Sequence, residues 1–181
     1  MIKKFSSSLK ELKSIRNIAL CALFVALYVA LNGVSFIVGS YKLTVAYIAI
    51  AALGLFFGPV TAPLAAGAAD FLGFLVRQDG PYHPGLMLSL MLTAFVFGLI
   101  LYKSPLTFWR ALLARGIINI FINIGLNTLW MSNILGKGYF VILGDRTIKN
   151  LVLLIPESII IYTTLLLIKK AHERLYRSTN L

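Results

Sequence analysis

Four polar residues recur at steps of four in one apolar stretch: Arg115, Asn119, Asn123 and Asn127, with Trp130 three residues further on. That spacing sets them on one face of a helix. A guanidinium and three amides should not point at lipid, so this face serves a cavity or hydrogen-bonds a neighbouring helix. Two carboxylates, Asp70 and Glu157, lie in equally apolar surroundings, where a charge is expensive unless paired. Arg115 is a candidate partner for Glu157. Asp70 has no obvious local partner, which makes it the better ligand candidate. Two polar stretches complete the set. One runs from Arg77 through Asp79, Tyr82 and His83 to Gly85; the other holds Asp145, Arg146, Lys149 and Asn150. Their basic excess suits an anionic small molecule and their aromatics a flat ring. His83 alone reads as a hydrogen-bonding or solvated loop residue, because no second His, Cys or carboxylate set gives it metal-ligand spacing.

Catalysis finds little support. The chain has no Gly-x-Ser-x-Gly elbow, no His-Glu-x-x-His helix and no paired-carboxylate cleft. It has no Walker A loop either, so any ATP-driven step needs another chain. A single cysteine, Cys21, excludes an internal disulfide framework and a Cys-based zinc site. No cofactor or metal is expected.

The elements that must position these groups are membrane spans. Of 181 residues, 59% are hydrophobic and 13% charged, with a mean hydropathy of +0.88. Soluble domains carry about 25% charged residues, and a soluble chain of this size has too little interior to hide so much apolar surface. The +11 net charge comes mostly from two basic ends, not from a nucleic-acid groove. The expected fold is all-α, a six-helix transmembrane bundle. Residues 1–16 form a basic lead, 17–168 the membrane domain with an outward-facing ligand pocket, and 169–181 a basic tail. The apolar run after residue 16 is too long for a signal-peptide h-region, so it reads as a retained span. The spans fall at about 17–38, 43–57, 58–76, 85–102, 106–133 and 148–168. Between the second and third there is no polar loop, only Gly58-Pro59. As one helix, residues 43–76 would be about 51 Å long, far more than the roughly 30 Å hydrocarbon core, so the chain should turn there. Eleven Lys/Arg then lie on the side of the termini and five on the other. The positive-inside rule puts both termini in the cytoplasm of a cell-membrane protein.

On the first span Ala22, Ala26 and Ala30 follow each other at steps of four, with Ala19 nearby. Such a small-residue stripe admits a closely packed helix, either from within the bundle or from another subunit. The segment after it, from Asn32 to Tyr41, is uncharged and reads as a flexible loop.

Taken together, the chain resembles the folate family of substrate-binding S components of energy-coupling factor (ECF) transporters. Local matches are Arg16-Asn-Ile-Ala-Leu-Cys-Ala-Leu-Phe-Val-Ala-Leu, Phe56-Phe-Gly-Pro59, Ala69-Asp70-Phe-Leu-Gly73, Asp79-Gly-Pro-Tyr-His-Pro-Gly85, Leu126-Asn-Thr-Leu-Trp130 and Arg146-Thr-Ile-Lys-Asn150. His83 departs from the aromatic, usually Phe, expected at its place. The resemblance implies a subunit that binds folate from outside, docks on a membrane scaffold subunit coupled to two ATPases, and topples in the membrane to release its ligand. It implies that Ala22, Ala26 and Ala30 form the docking motif and that residues 33–41, with Gly33, Phe36 and Tyr41, form a lid. The substrate-binding set would be Asp70, Arg77, Tyr82, His83, Asn123, Asn127, Trp130, Arg146 and Lys149. Two other readings stand beside it: an S component for another vitamin or precursor, such as pantothenate or a pyrimidine, and a membrane-embedded enzyme or channel. A channel would need a continuous polar path, and spans one, two and four hold almost no ionisable residues.

Overall fold

Residues 2–11 of the basic lead are helical. In a computed structural model of the chain, α1 (Ile2–Glu11) precedes α2 (Ile15–Gly33), a short antiparallel hairpin of β1 (Phe36–Val38) and β2 (Tyr41–Leu43), and α3 (Tyr47–Val76). Then come α4 (Pro84–Leu101), α5 (Phe108–Ile117), a π-helical segment (Ile118–Leu126), α6 (Asn127–Leu135) and α7 (Tyr139–Ser178). The structure describes residues 2–11, 14–34, 36–38, 41–77 and 82–178; at 2, 3, 6, 10, 36–38, 41–43 and 175–178 it describes the backbone alone. Among the described residues, five helical runs are long and apolar enough to cross a membrane: α2, α3, α4, the run Phe108–Leu135, and Tyr139–Arg174 within α7.

α3 is the centre of the bundle, and it is not straight. Gly58 has φ 77° and ψ −171°, a conformation essentially confined to glycine. A straight helix of 30 residues would hold its ends about 45 Å apart. Here both ends meet the same end of α2. Thr44, just before α3, donates from Oγ1 to the Leu31 carbonyl at 3.2 Å, and Arg77, just after α3, donates to the Gly33 carbonyl. The chain therefore reverses at Gly58, as the Gly58-Pro59 pair predicts, and α3 contributes two antiparallel limbs.

Small residues let those limbs be buried deeply. Ala49, Ala51, Ala52, Ala62, Ala66 and Ala69 are fully enclosed. A Cβ on Gly98 of α4 would lie 2.6 Å from the Gly58 carbonyl carbon, and one on Gly54 would lie 2.5 Å from the Phe97 Cβ. The backbones of α3 and α4 thus touch, which glycine alone permits. Freed backbone groups at the reversal are satisfied from α1. The Ser8 Oγ accepts from the Val60 and Thr61 amides, each at 3.1 Å, and donates to the Phe57 carbonyl at 2.5 Å. It acts as an N-cap supplied from another helix. The Tyr102 ring covers Gly58, and its hydroxyl donates to Glu11 Oε1 at 2.8 Å. Asn17 at the start of α2 donates to the other oxygen of Glu11, also at 2.8 Å.

Two expected boundaries move. α2 ends at Gly33, not near residue 38, and the segment expected to be a flexible loop forms the hairpin, pairing Phe36 with Leu43 and Val38 with Tyr41. Its triplets Phe-Ile-Val and Tyr-Lys-Leu are β-formers separated by two residues, a hairpin pattern that the apolarity of the segment masked. The polar stretch around residues 145–150, expected as a connection, lies inside α7. No proline interrupts it, and its polar side chains bond back along the helix. Thr147 donates to the Leu143 carbonyl and Asn150 to the Arg146 carbonyl, both at 2.8 Å.

Gly58→Ala should lower stability by about 1–3 kcal/mol from backbone strain alone. The added Cβ, 2.8 Å from the Tyr102 ring, deepens the loss. Thermal unfolding in detergent should show a clearly lower midpoint, whereas Gly144→Ala, where a Cβ meets nothing inside α7, should leave it equal or slightly higher through helix propensity.

Candidate functional site

The polar face begins with a buried ion pair. Arg115, 6% exposed, donates from Nε and Nη2 to Glu157 Oε2 at 2.8 and 2.5 Å, and its guanidinium lies 4.8 Å from the Tyr47 ring centroid. This is the pairing that the sequence offered. Above it the amides form a ladder. Asn119 donates to the Asn150 carbonyl at 3.0 Å, Asn123 donates to Asn119 Oδ1 at 2.9 Å, and Asn127 donates to Asn123 Oδ1 at 3.1 Å. In an α-helix a step of four overshoots one turn by about 40°, so such a ladder would wind off its face. The π segment from Ile118 to Leu126 has wider turns, in which a step of four falls short. The two deviations oppose each other, and the polar face stays aimed at α7. Arg146 on α7 reaches back to the Asn123 carbonyl at 3.5 Å, and Lys149 lies within electrostatic reach of Arg146, Glu157 and Arg115.

The ladder leads to the start of α4. His83 is the N-cap of that helix: its Nδ1 accepts from the Gly85 amide at 3.1 Å, which leaves Nε2 to carry the proton of the neutral ring. The Trp130 ring lies 5.4 Å from the His83 ring and presses on Gly85, where a Cβ would meet the indole at 2.4 Å. Two buried atoms here have no hydrogen-bond partner among the described residues, the acceptor Asn127 Oδ1 and the donor Trp130 Nε1.

Tyr82 sits on the other side of His83. Its ring lies 5.1 Å from Phe74 and 6.2 Å from Phe71, and its hydroxyl reaches the Met87 sulfur at 2.9 Å. Asp70, half-buried on the second limb of α3, is not isolated; Tyr82 and Tyr28 are within its electrostatic reach. Because Tyr82 and His83 are consecutive, the Asp70 group and the Asn127–Trp130 group meet at the N-terminus of α4. Arg77 is turned toward α2, where it donates to the Gly33 carbonyl. Asp79 lies outside the described residues, as do the side chains of Phe36 and Tyr41. Ala22, Ala26 and Ala30 are all exposed, so among the described residues no other helix covers the stripe.

Sequence reasoning missed Tyr28 and Asn32. Tyr28 is 7% exposed beside Asp70, and the Asn32 amide lies over Gly73. Their signal was present: two polar side chains four residues apart, offset by two from the alanine stripe and so on the opposite face of α2.

Removing one partner of the Arg115–Glu157 pair strands a buried charge. Glu157→Ala should cost about 3–5 kcal/mol, and the double change Arg115→Met with Glu157→Met should recover most of that. Thermal unfolding of the three proteins in one detergent checks the order. A double mutant less stable than Glu157→Ala would show that the pair itself, not relief from a stranded charge, holds the helices.

No family model matches the chain. The folate transporter FolT of Clostridium novyi (strain NT) is 33% identical over 116 residues, which cover 64% of this chain and 67% of that protein. The folate transporter FolT of Leuconostoc mesenteroides subsp. mesenteroides is 24% identical over 144 residues, covering 76% and 78%. Among solved structures, a crystal structure of FolT bound with folic acid superposes with a TM-score of 0.75 at 28% identity, over 82% of this chain and 90% of that one. The S component for biotin of an ECF-type ABC transporter shares the fold, with a TM-score of 0.64 at 16% identity over 83% and 90%. Sequence and fold agree, and the chain belongs to the folate transporter family FolT.

Proposed function

We propose that this chain is the folate-binding S component of an ECF-type importer, a transport subunit of the cell membrane and not an enzyme. The observation that carries the ligand reading is the pair of unpartnered buried atoms, Asn127 Oδ1 and Trp130 Nε1, beside His83 and below the Asp70–Tyr82 group. A buried donor and a buried acceptor without partners cost free energy that a bound polar ring edge recovers. A pterin-like ring presents a 2-amino group beside a ring N–H. Asp70 accepts both in a two-point pair, Asn127 and Trp130 complete the edge, and Tyr82 or Trp130 supplies an aromatic face. The anionic glutamate tail lies toward Arg146 and Lys149. Arg77 is engaged with Gly33, at the foot of the hairpin, so it serves as an anchor for the lid formed by residues 33–41. Both termini are cytoplasmic in this reading, and the ligand enters from outside.

The exposed stripe of Ala22, Ala26 and Ala30 is the surface for the scaffold subunit, which two ATPases drive. Leu23 and Leu27, 61% and 37% exposed, flank it with apolar surface. A face of small residues lets a partner helix approach closely.

Calorimetry on the purified chain without ATP should show saturable binding of folate and none of pantothenate or thiamine. Saturable binding of a different vitamin, with no heat from folate, would transfer the assignment to that vitamin. Asp70→Asn should weaken folate and a tail-less pterin alike, by about 2–4 kcal/mol, the scale for truncating one side of a buried charged hydrogen bond. Arg146→Ala should weaken folate more than the pterin. Unchanged folate binding by Asp70→Asn would make Asp70 a structural carboxylate.

Replacing Ala22 and Ala26 together by Trp should abolish uptake in cells that supply the scaffold and ATPases while the isolated subunit still binds folate. Loss of binding as well would place the stripe in the fold of the subunit itself.

A further inference from the structure

At the end of the bundle that carries α1, Arg110 is half-buried beside a second cation. It lies close enough to Lys4 for their charges to interact, and among the described residues no carboxylate or carbonyl accepts from its guanidinium. Lys4 reaches the Leu99 carbonyl at 3.2 Å and the Ser104 hydroxyl at 2.9 Å, both neutral acceptors. Burial first, then the charge of Arg110, holds the Lys4 ammonium below its usual range. The carboxylate on α1, Glu11, is turned to Tyr102 and Asn17 and is not among the charges acting on Lys4. Two cations held together, with no counter-charge beside them among the described residues, call for an additional anion.

What surrounds them says which anion. Trp109, next to Arg110, is 75% exposed. Below it on the same face run Leu113 and Ile120, 55% and 58% exposed, with Phe121 beside them at 68%. Steps of four and seven keep Trp109, Leu113 and Ile120 aligned. An exposed apolar track capped by a tryptophan is the signature of a lipid-facing surface whose upper end lies at the headgroup level. The cations stand at the head of that track.

We infer that Arg110 and Lys4, with Ser104 and Trp109, form a headgroup site for an anionic phospholipid whose acyl chain lies along Leu113 and Ile120. Neither Lys4 on α1 nor Arg110 on α5 belongs to α2, which carries the alanine stripe, or to the Asp70 limb of α3.

The full-length protein, purified in a mild detergent, is titrated with phosphatidylglycerol or phosphatidylcholine, and the lipid retained is read by native mass spectrometry. The parent should retain phosphatidylglycerol preferentially. Arg110→Gln should weaken that retention about fivefold, the worth of one basic residue near an anionic surface, and leave phosphatidylcholine unchanged. Arg110→Lys, which keeps the charge, should retain most of it, and Lys170→Gln should behave as the parent. Equal retention of phosphatidylglycerol by Arg110→Gln and the parent overturns the site. So does an equal loss of both lipids, which would report a damaged fold. Displacement of phosphatidylglycerol by millimolar inorganic phosphate would identify a soluble anion and overturn the lipid assignment. Loss of scaffold co-purification from Arg110→Gln with lipid retention intact would make the surface a protein contact.

Discussion

A chain that reverses inside an apolar bundle, with no polar loop, must find partners for the backbone groups that the turn sets free. In hydrocarbon each unsatisfied N–H or C=O costs several kcal/mol. At Gly58 the solution involves several elements at that end of the bundle. Ser8 caps the second limb of α3 from outside that helix, Gly98 brings the α4 backbone against the turn, and the Tyr102 ring closes over it. Glu11 then joins Tyr102 to Asn17, so the same constraint sets where α2 begins. α1 is an integral part of the bundle because the reversal needs it.

With the Gly58 end fixed, both ends of α3 return to the far end of α2, and Tyr28, Asp70 and Tyr82 gather there. Asp70 rides on the returning limb, and Arg77 ties the end of that limb to Gly33 at the foot of the hairpin. The opposite wall depends on a different device. The ion pair of Arg115 and Glu157 joins α5 to α7, and the π segment keeps three asparagines on the line that runs from that pair to Trp130. π turns are uncommon, and they occur frequently at functional sites because they re-aim side chains within a continuous helix. Here the re-aiming leaves Asn127 Oδ1 and Trp130 Nε1 buried and unpartnered at the top of the ladder.

The remaining surfaces separate by chemistry. α2 turns Phe24 and Tyr28 inward and its alanines outward, so one helix presents a buried aromatic face and an open small-residue face. α7 exposes Leu151, Val152 and Ile155 in a row of apolar side chains suited to lipid. The beginning of α5 combines exposed tryptophan with positive charge that has no carboxylate partner among the described residues.

Much of this was legible in the chain alone. Composition and run length determined an all-helical membrane body, because 59% hydrophobic residues cannot be enclosed by 181 residues in water. The Gly58-Pro59 pair marked the reversal, since a helix through it would overrun the bilayer. The steps of four from Arg115 to Asn127 marked the polar face, and Glu157 was legible as the partner of Arg115 because unpaired charges do not persist in lipid. What tertiary structure decided were matters of juxtaposition. Whether the alanine stripe faced inward or outward depended on where Tyr28 and Asn32 found partners. The hairpin and the helical course of residues 145–150 depended on pairing and on back-bonding to α7's own carbonyls, which local apolarity does not encode. The π segment has no composition of its own; it forms because the ladder's bonds to α7 favour wider turns over the α-helical drift. Lys4 and Arg110 lie 106 residues apart in sequence, so only the folded chain brings these two like charges together.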